Sequence, residues 1–135
     1  MTATAELTAQ MHALMPFTAL LGATAVQVSP EEVMLRLEWD ATRCTTGGVM
    51  HGGALMALAD AAGGWCAFLN LPDGATRTAT TSSTTYFLRP VTQRHVYAVA
   101  QPLNVGRTMI VVDTELRDAA GKLAARVSQL QAVLR

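Results

Sequence analysis

The residue whose type and surroundings most strongly suggest a chemical role is Asp60, an acid within a long run of apolar and small residues. A carboxylate in such surroundings is costly to bury unless it is paired, hydrogen-bonded or used in a reaction. No Lys or Arg lies between Arg43 and Arg77, so no cation within a helical turn can pair with it. The pattern predicts a catalytic carboxylate or, as the plainer alternative, an acid that caps a backbone group or faces a solvent channel.

A glycine-rich segment stands at the start of the same apolar run: Gly48-Val49-Met50-His51-Gly52-Gly53. The N-terminus of a helix leaves backbone N–H groups without internal partners and carries partial positive charge. Glycine there lets a ligand approach the backbone closely. An ester or thioester carbonyl aimed at these N–H groups would be polarised, and its tetrahedral oxyanion would be held. The alternative is an ordinary glycine loop, but an Asp nine positions after the His makes the combination more specific.

Hydropathy patterning indicates the elements that must position these residues. Residues 5–14 favour a short helix that Pro16 ends, within an N-terminal helical segment over 1–20. The run 51–69 has no period-two pattern and predicts a helix that is apolar all round and buried on nearly all sides. Alternating or β-branched segments predict strands over 26–28, 33–39, 76–88, 96–103, 108–116 and 122–134.

One very apolar helix beside about six strands predicts an α+β fold, with an antiparallel sheet wrapped around one long central helix. A chain of 135 residues suits a single domain over 1–135. The run 52–69 approaches the length of a membrane span. It contains Asp60 and four glycines, so we expect a buried helix and no membrane partner.

Composition narrows the functional classes. The chain is 50% apolar and 15% charged, which argues against disorder. Ten basic and ten acidic residues cancel, so no net positive field attracts nucleic acid or anionic lipid. Cys44 and Cys66 form no CxxC or Cys/His cluster, so we expect neither a disulfide framework nor a metal. The first residues lack the basic and apolar regions of a signal peptide, and the expected location is the cytoplasm.

The sequence then resembles a known family. His51-Gly52-Gly53, followed by Ala54-Leu55-Met56-Ala57-Leu58-Ala59-Asp60, looks like the hotdog-fold acyl-CoA thioesterases of the PaaI type. The match continues through two later segments, Tyr86-Phe87-Leu88-Arg89-Pro90 and Gly106-Arg107-Thr108. A related branch has Thr at the position of Gly64 and Glu at that of Asp60, so the PaaI type fits better.

The resemblance implies hydrolysis of an aryl or medium-chain acyl-CoA by homodimers that pair into homotetramers. It implies no cofactor, because coenzyme A is part of the substrate. The active site would lie at the dimer seam, with the helix N-terminus from one subunit and the acid from the other. By this resemblance the catalytic residues are Asp60 as nucleophile or general base, Gly52 as the N–H that polarises the carbonyl, and His51. His51 would mainly shape the loop and secondarily contact the thioester region.

The same resemblance suggests substrate-binding residues. Thr45 stands where the family usually has Asn or Gln, so that polar role is weakened or shared. Thr80 falls where the family often has Ser or Thr facing the site. Arg89 and Arg107 are candidates for the coenzyme A phosphates, because guanidinium forks fit phosphate oxygens, although an ordinary exposed arginine fits each equally well. The full substrate-binding set is Thr45, Gly53, Thr80, Phe87, Arg89, Asn104, Gly106 and Arg107.

Two other functions stay open at this stage. One is a hotdog hydratase or dehydratase acting on acyl thioesters, and the other is a non-catalytic acyl-CoA binder, which the Thr45 departure leaves open. Trp65 and Phe68, past Asp60 on the predicted helix, belong either to the core or to the acyl end of the site. The acyl group, the choice between nucleophile and general base, and the choice between dimer and tetramer are left undetermined.

Overall fold

The computed structural model describes residues 2–135, which form one six-stranded sheet packed against helices. Two short 3-10 turns, Ala41–Arg43 and Thr46–Gly48, shape the loop before the longest helix. In chain order the elements are α1 (Ala3–Leu14), α2 (Pro16–Leu21), β1 (Thr24–Val28), β2 (Val33–Glu38), α3 (Gly52–Leu69), β3 (Arg77–Phe87), β4 (His95–Val105), β5 (Met109–Asp118) and β6 (Leu123–Leu134).

The sheet has the strand order β1-β2-β4-β5-β6-β3, and every neighbouring pair is antiparallel. The chain leaves the sheet after β2, forms α3, and returns at the far edge as β3 beside β6. Strands β1 and β3 are therefore the two edges. The predicted α+β fold, about six antiparallel strands around one long helix, is confirmed.

Alternation along the strands builds the core between the sheet and α3. In β2, Val33, Leu35 and Leu37 are fully buried, whereas the residues between them are partly exposed. Each such side chain contributes about 1.5–3 kcal/mol relative to an exposed position. The buried face of α3 completes the core with Leu58 and Cys66.

The prediction that the central helix is buried on nearly all sides is wrong for this chain. Met56 is 44% exposed and Phe68 is 48% exposed, and Asp60 lies exposed between them on the same stripe. The reason is geometric, because one sheet covers one side of a helix and residues 2–135 do not cover the opposite stripe. By length and composition α3 could also cross a bilayer, and half of it is buried inside this fold.

Pro16 begins a second helix, where the sequence predicted only the end of the first. Helix α1 stops at Leu14, and Pro16 takes the first position of α2, where its missing N–H costs nothing. Gly22 ends α2 in the left-handed conformation (φ 87°). The resulting corner between α1 and α2 lies beside α3 and contributes to the site described below.

Candidate active site

The N-terminus of α3 is held by backbone hydrogen bonds from the loop that precedes it. The N–H of Met50 donates to the carbonyl of Val91 over 2.8 Å, and the N–H of His51 donates to that of Arg43 over 2.8 Å. These bonds tie the helix start to the segment before β4 and to the turn after β2. The first amides of α3 are thereby fixed relative to the sheet.

His51 caps the helix with its own ring. Its Nδ1 accepts a hydrogen bond from the N–H of Gly53 over 2.8 Å, so a neutral His51 carries its proton on Nε2. A Cβ at Gly53 would lie 2.8 Å from the same Nδ1, so the cap requires glycine there. The N–H of Gly52 has no acceptor among residues 2–135 and is available to a ligand.

The Gly52 amide lies in a cleft of about 380 Å³ whose lining includes Thr45, Phe87 and Arg89. The ring of Phe87 packs over the glycine, and a Cβ at Gly52 would lie 3.1 Å from its Cζ. Arg89 is exposed and is the cationic residue of this cleft. The structure thus brings four of the predicted site residues together at the start of α3.

Asp60 borders a different cavity, of about 490 Å³. Its walls come from the α1–α2 corner, from the second half of α3 and from strands β3 and β6, and include Leu14, Phe17, Trp65, Phe68, Thr80 and Gln131. Trp65 is buried and Phe68 is 48% exposed, yet both line this space. Trp65 therefore belongs both to the core and to the cavity wall, whereas Phe68 lines the cavity from the exposed side of α3.

Two buried glutamines on β6 bond the polar residues of this cavity. Gln129, 1% exposed, donates from Nε2 to Oδ1 of Asp60 over 2.9 Å. Gln131, also 1% exposed, donates from Nε2 to Oγ1 of Thr80 over 2.8 Å. Among residues 2–135 the ion pairs join Arg36 to Glu38, Arg117 to Glu115 and Arg126 to Asp113, so Asp60 has no cationic partner there.

The sequence reasoning missed Gln129 and Gln131, although a usable signal was present. In β6 the inward positions run Val127, Gln129, Gln131 and Val133, which is a period-two pattern with two amides on the core face. Buried amides need partners. Matching that register to the one unpaired acid of α3 would have suggested the contact.

Some of the predicted residues lie far apart within one chain. Gly52 and Asp60 are eight residues apart on α3, which places them about 12 Å apart along the axis. Asn104, Gly106 and Arg107 lie at the β4–β5 hairpin, whereas the N-terminus of α3 is bonded near the start of β4. The length of β4 separates the two places by roughly 30 Å.

Residues 2–135 provide Asp60 with neither a metal site nor, in Cys66, a reactive thiol. Within residues 2–135 no group of three or more His, Cys, Asp or Glu side chains is placed to hold a metal ion. Cys66 lies on the buried side of α3, and burial raises the pKa of its thiol to about 11. A thiol with that pKa stays protonated near neutral pH and is a poor nucleophile.

Comparison with known families decides the affiliation. Residues 47–125, which span the α3 N-terminus, Asp60 and strands β3 to β5, match the model of the thioesterase superfamily. The chain belongs to the thioesterase superfamily. A protein of Saccharolobus solfataricus provisionally named an esterase is 38% identical to this member over 80 residues. That match spans 59% of this chain and 56% of the relative's length.

Solved structures agree with this affiliation. A thioesterase from Haemophilus influenzae superposes with a TM-score of 0.87 at 24% identity, covering 100% of this chain and 92% of that one, which shows the shared fold. A mutant of the phenylacetic acid degradation protein PaaI from Thermus thermophilus matches with a TM-score of 0.80 at 28% identity. That match covers 88% of this chain and 99% of the other. The resemblance to PaaI-type hotdog proteins drawn from the sequence is confirmed.

Proposed function

We propose that this protein is an acyl-CoA thioesterase, which hydrolyses the thioester of an aryl or medium-chain acyl-CoA to the free acid and coenzyme A. The observation that carries the proposal is Asp60. In a member of the thioesterase superfamily, this carboxylate borders a largely apolar cavity, has no cationic partner within residues 2–135, and is anchored by a buried amide. An anchored acid beside space for an acyl group suits thioester cleavage.

The reaction uses two groups of α3. The carbonyl oxygen of the thioester accepts from the Gly52 N–H, which stabilises the oxyanion. As general base, Asp60 takes a proton from water while the water oxygen attacks the carbonyl carbon. The C–S bond then breaks and the coenzyme A thiolate takes up the proton. As nucleophile, Asp60 instead attacks the carbonyl carbon, and the C–S bond breaks to release the coenzyme A thiolate and leave an acyl anhydride. Water then cleaves the anhydride to the free acid and the Asp60 carboxylate, and the proton it releases goes to the thiolate. Both routes start from the ionised acid.

Two chains are needed to build such a site. A carbonyl carbon cannot be within reach of an amide and a carboxylate that lie about 12 Å apart on one helix. The uncovered stripe of α3 with Met56 and Phe68, and the unpaired edge of β3, offer the surfaces for a second copy. We propose a homodimer in which Gly52 of one protomer faces Asp60 of the other, with pairs of dimers forming a tetramer.

The proposed dimer also gives roles to the remaining predicted site residues. Arg89 lines the same cleft as Gly52, and we assign it to a phosphate of coenzyme A. Asn104, Gly106 and Arg107 are remote from Gly52 of their own chain, so we assign them to the nucleotide of a substrate bound at the partner's helix. The acyl group enters the cavity with Trp65 and Phe68. We also propose that the protein acts in the cytoplasm.

The test is release of free thiol from a panel of aryl- and medium-chain acyl-CoAs, followed with a disulfide dye. Wild type and Asp60→Asn are compared, because Asn keeps an oxygen that accepts from Gln129 and removes the charge. We expect hydrolysis in the wild type and at least a ~10²-fold loss in the variant. Full activity in Asp60→Asn would contradict the assignment of the acid. Conversion of an enoyl thioester without thiol release would indicate a hydratase, and tight binding without turnover would indicate a binder.

A further inference from the structure

The contact between Gln129 and Asp60 joins a fully buried amide to an exposed acid across 69 residues of sequence. Nε2 of Gln129 donates to Oδ1 of Asp60, while Oδ2 has no hydrogen bond within residues 2–135. One carboxylate oxygen is therefore held and the other is left for chemistry. The donor stands on β6, an interior strand between β5 and β3, which is rigid support for the acid.

Packing alone does not call for an amide at this position. The neighbouring inward residue of β6, Val127, is 1% exposed and apolar, and an apolar side chain at 129 would face the same core. Oε1 of Gln129 is buried and has no hydrogen-bond partner among residues 2–135. An unsatisfied buried oxygen destabilises a fold. The compensating contact of this side chain is the bond to Asp60.

Helix α3 leaves a gap for the amide at Gly63. A Cβ built at Gly63 would clash with Oε1 of Gln129, because the two atoms would lie closer than non-bonded contacts of real Cβ atoms allow. Gly63 follows Asp60 by three residues, so the gap and the acid lie on adjacent turns of the helix. Helix α3 and strand β6 are thus complementary here. Gly63 leaves room for the Gln129 amide, and Asp60 accepts its hydrogen bond.

We propose that Gln129 is a positioning residue for the hydrolysis, holding the Asp60 carboxylate in the orientation that presents Oδ2 to the thioester. This role rests on the proposed thioesterase function. Misplacing a catalytic group by about 1 Å costs on the order of 10²-fold in rate. Loss of the amide should therefore lower the rate of the chemical step while leaving substrate binding nearly intact.

The kinetic test compares Gln129→Met, which keeps length and removes the donor, with wild type on the best acyl-CoA. We expect kcat to fall roughly 10- to 100-fold with KM changed less than about threefold. Thr114→Val is the matched control, because Oγ1 of Thr114 is buried near the same glycine and makes no hydrogen bond within residues 2–135. It should retain wild-type kcat. Gln129→Asn, which keeps an amide but shortens its reach, serves if the Met variant folds poorly.

A double variant separates positioning from general damage. If Gln129 acts through the carboxylate, adding Gln129→Met to Asp60→Asn should lower the residual rate no further. A multiplicative loss in the double variant, or a kcat for Gln129→Met within about threefold of wild type, would overturn the proposal while leaving the thioesterase function standing.

A spectroscopic test of the bond between Gln129 and Asp60 does not depend on activity. In ¹H–¹⁵N spectra, the side-chain amide resonances of Gln129 should move strongly in Asp60→Ala, whereas those of Gln131, bonded to Thr80, should move little. Unmoved Gln129 resonances would contradict the bond itself. A wild type that hydrolyses no thioester but shows the shift would remove the proposed function, and with it the catalytic role of Gln129, while leaving the contact established.

Discussion

The aromatic ring of Phe87 lies directly over Gly52, so that a Cβ at residue 52 would be 3.1 Å from the ring Cζ. The first amide of α3 therefore opens on a space that β3 bounds on one side. Phe87 is 53% exposed and its ring can shift by a few tenths of an ångström. The cleft accepts an added methyl group at residue 52 only if that ring moves.

Replacing Gly52 with Ala should lower kcat on the best acyl-CoA by about tenfold or more, because the methyl group and the displaced ring crowd the approach to the amide that holds the oxyanion. Thiol release measures the effect. Phe87→Leu in the same background should relieve the contact with the ring without restoring full turnover. Unchanged kcat in Gly52→Ala would argue against this amide as the oxyanion donor.

Mixed dimers test whether the amide and the acid come from different chains. Gly52→Ala and Asp60→Asn chains carrying different affinity tags are co-expressed, and the doubly tagged dimer is purified. Across a seam, one of its two sites has both native residues, so it should show about half of wild-type activity. If both residues of a site belonged to one chain, every site would carry a defect and activity would stay at the level of the single variants.

A methyl group at Gly63 should destabilise the chain by about 1–3 kcal/mol, since it forces the buried Gln129 amide to move. The same displacement breaks the bond to Asp60, so kcat should fall with stability. Denaturant unfolding and thiol release report the two effects. In the double variant Gly63→Ala/Gln129→Ala the added methyl group has room. We therefore expect the double variant to be at least as stable as Gln129→Ala alone, while its kcat stays low.

Gly64 is the contrasting neighbour. Apart from the neighbouring backbone of α3 itself, no atom of residues 2–135 lies within 4 Å of a Cβ built there, so Gly64→Ala should stabilise the chain by about 0.5–1 kcal/mol. Gly64 also lines the cavity beside Asp60, where an added methyl group narrows the space. The relative activity of the variant across the acyl-CoA panel should therefore shift in favour of smaller acyl groups. An unchanged preference would indicate that the acyl group does not occupy this cavity.

The two thiols should react differently with a disulfide dye at pH 8. Burial raises the pKa of Cys66 to about 11, so about one in a thousand of these groups is ionised at that pH. Cys44 is only half-buried. We expect one rapid equivalent per native chain and two after unfolding, with Cys44→Ser removing the rapid one.

Because the folded pKa of Cys66 lies above the ordinary value of 9.0, the contribution of this thiol to stability is complete below pH 9 and is lost as pH rises from 9 toward 11.

Local patterns in the sequence were sufficient for most of the elements, although not for α2, and for locating the segment that contains the candidate site. The alternation of Val33, Leu35 and Leu37 predicted β2, and the long apolar run predicted α3, because both depend on which residues share a face. The placement of Gly52 at the helix start and of Asp60 eight residues later follows from spacing within a single helix, whereas the cap that the His51 ring makes on Gly53 came from the structure. These features are set by neighbours along the chain, so they can be read from short windows of sequence.

Tertiary structure alone decided which residues meet. Strand β3 crosses to the far edge beside β6, and this brings Thr80 to Gln131. The same topology carries Gln129 to Asp60, two residues whose contact no local window contains. The exposure of one stripe of α3 was also a tertiary outcome, because the hydrophobicity of a helix does not say how many sides the rest of its own chain can cover. Composition and spacing determined that an acid and a glycine-rich N-terminus lie on one helix, and long-range packing determined what holds the acid and which face stays open.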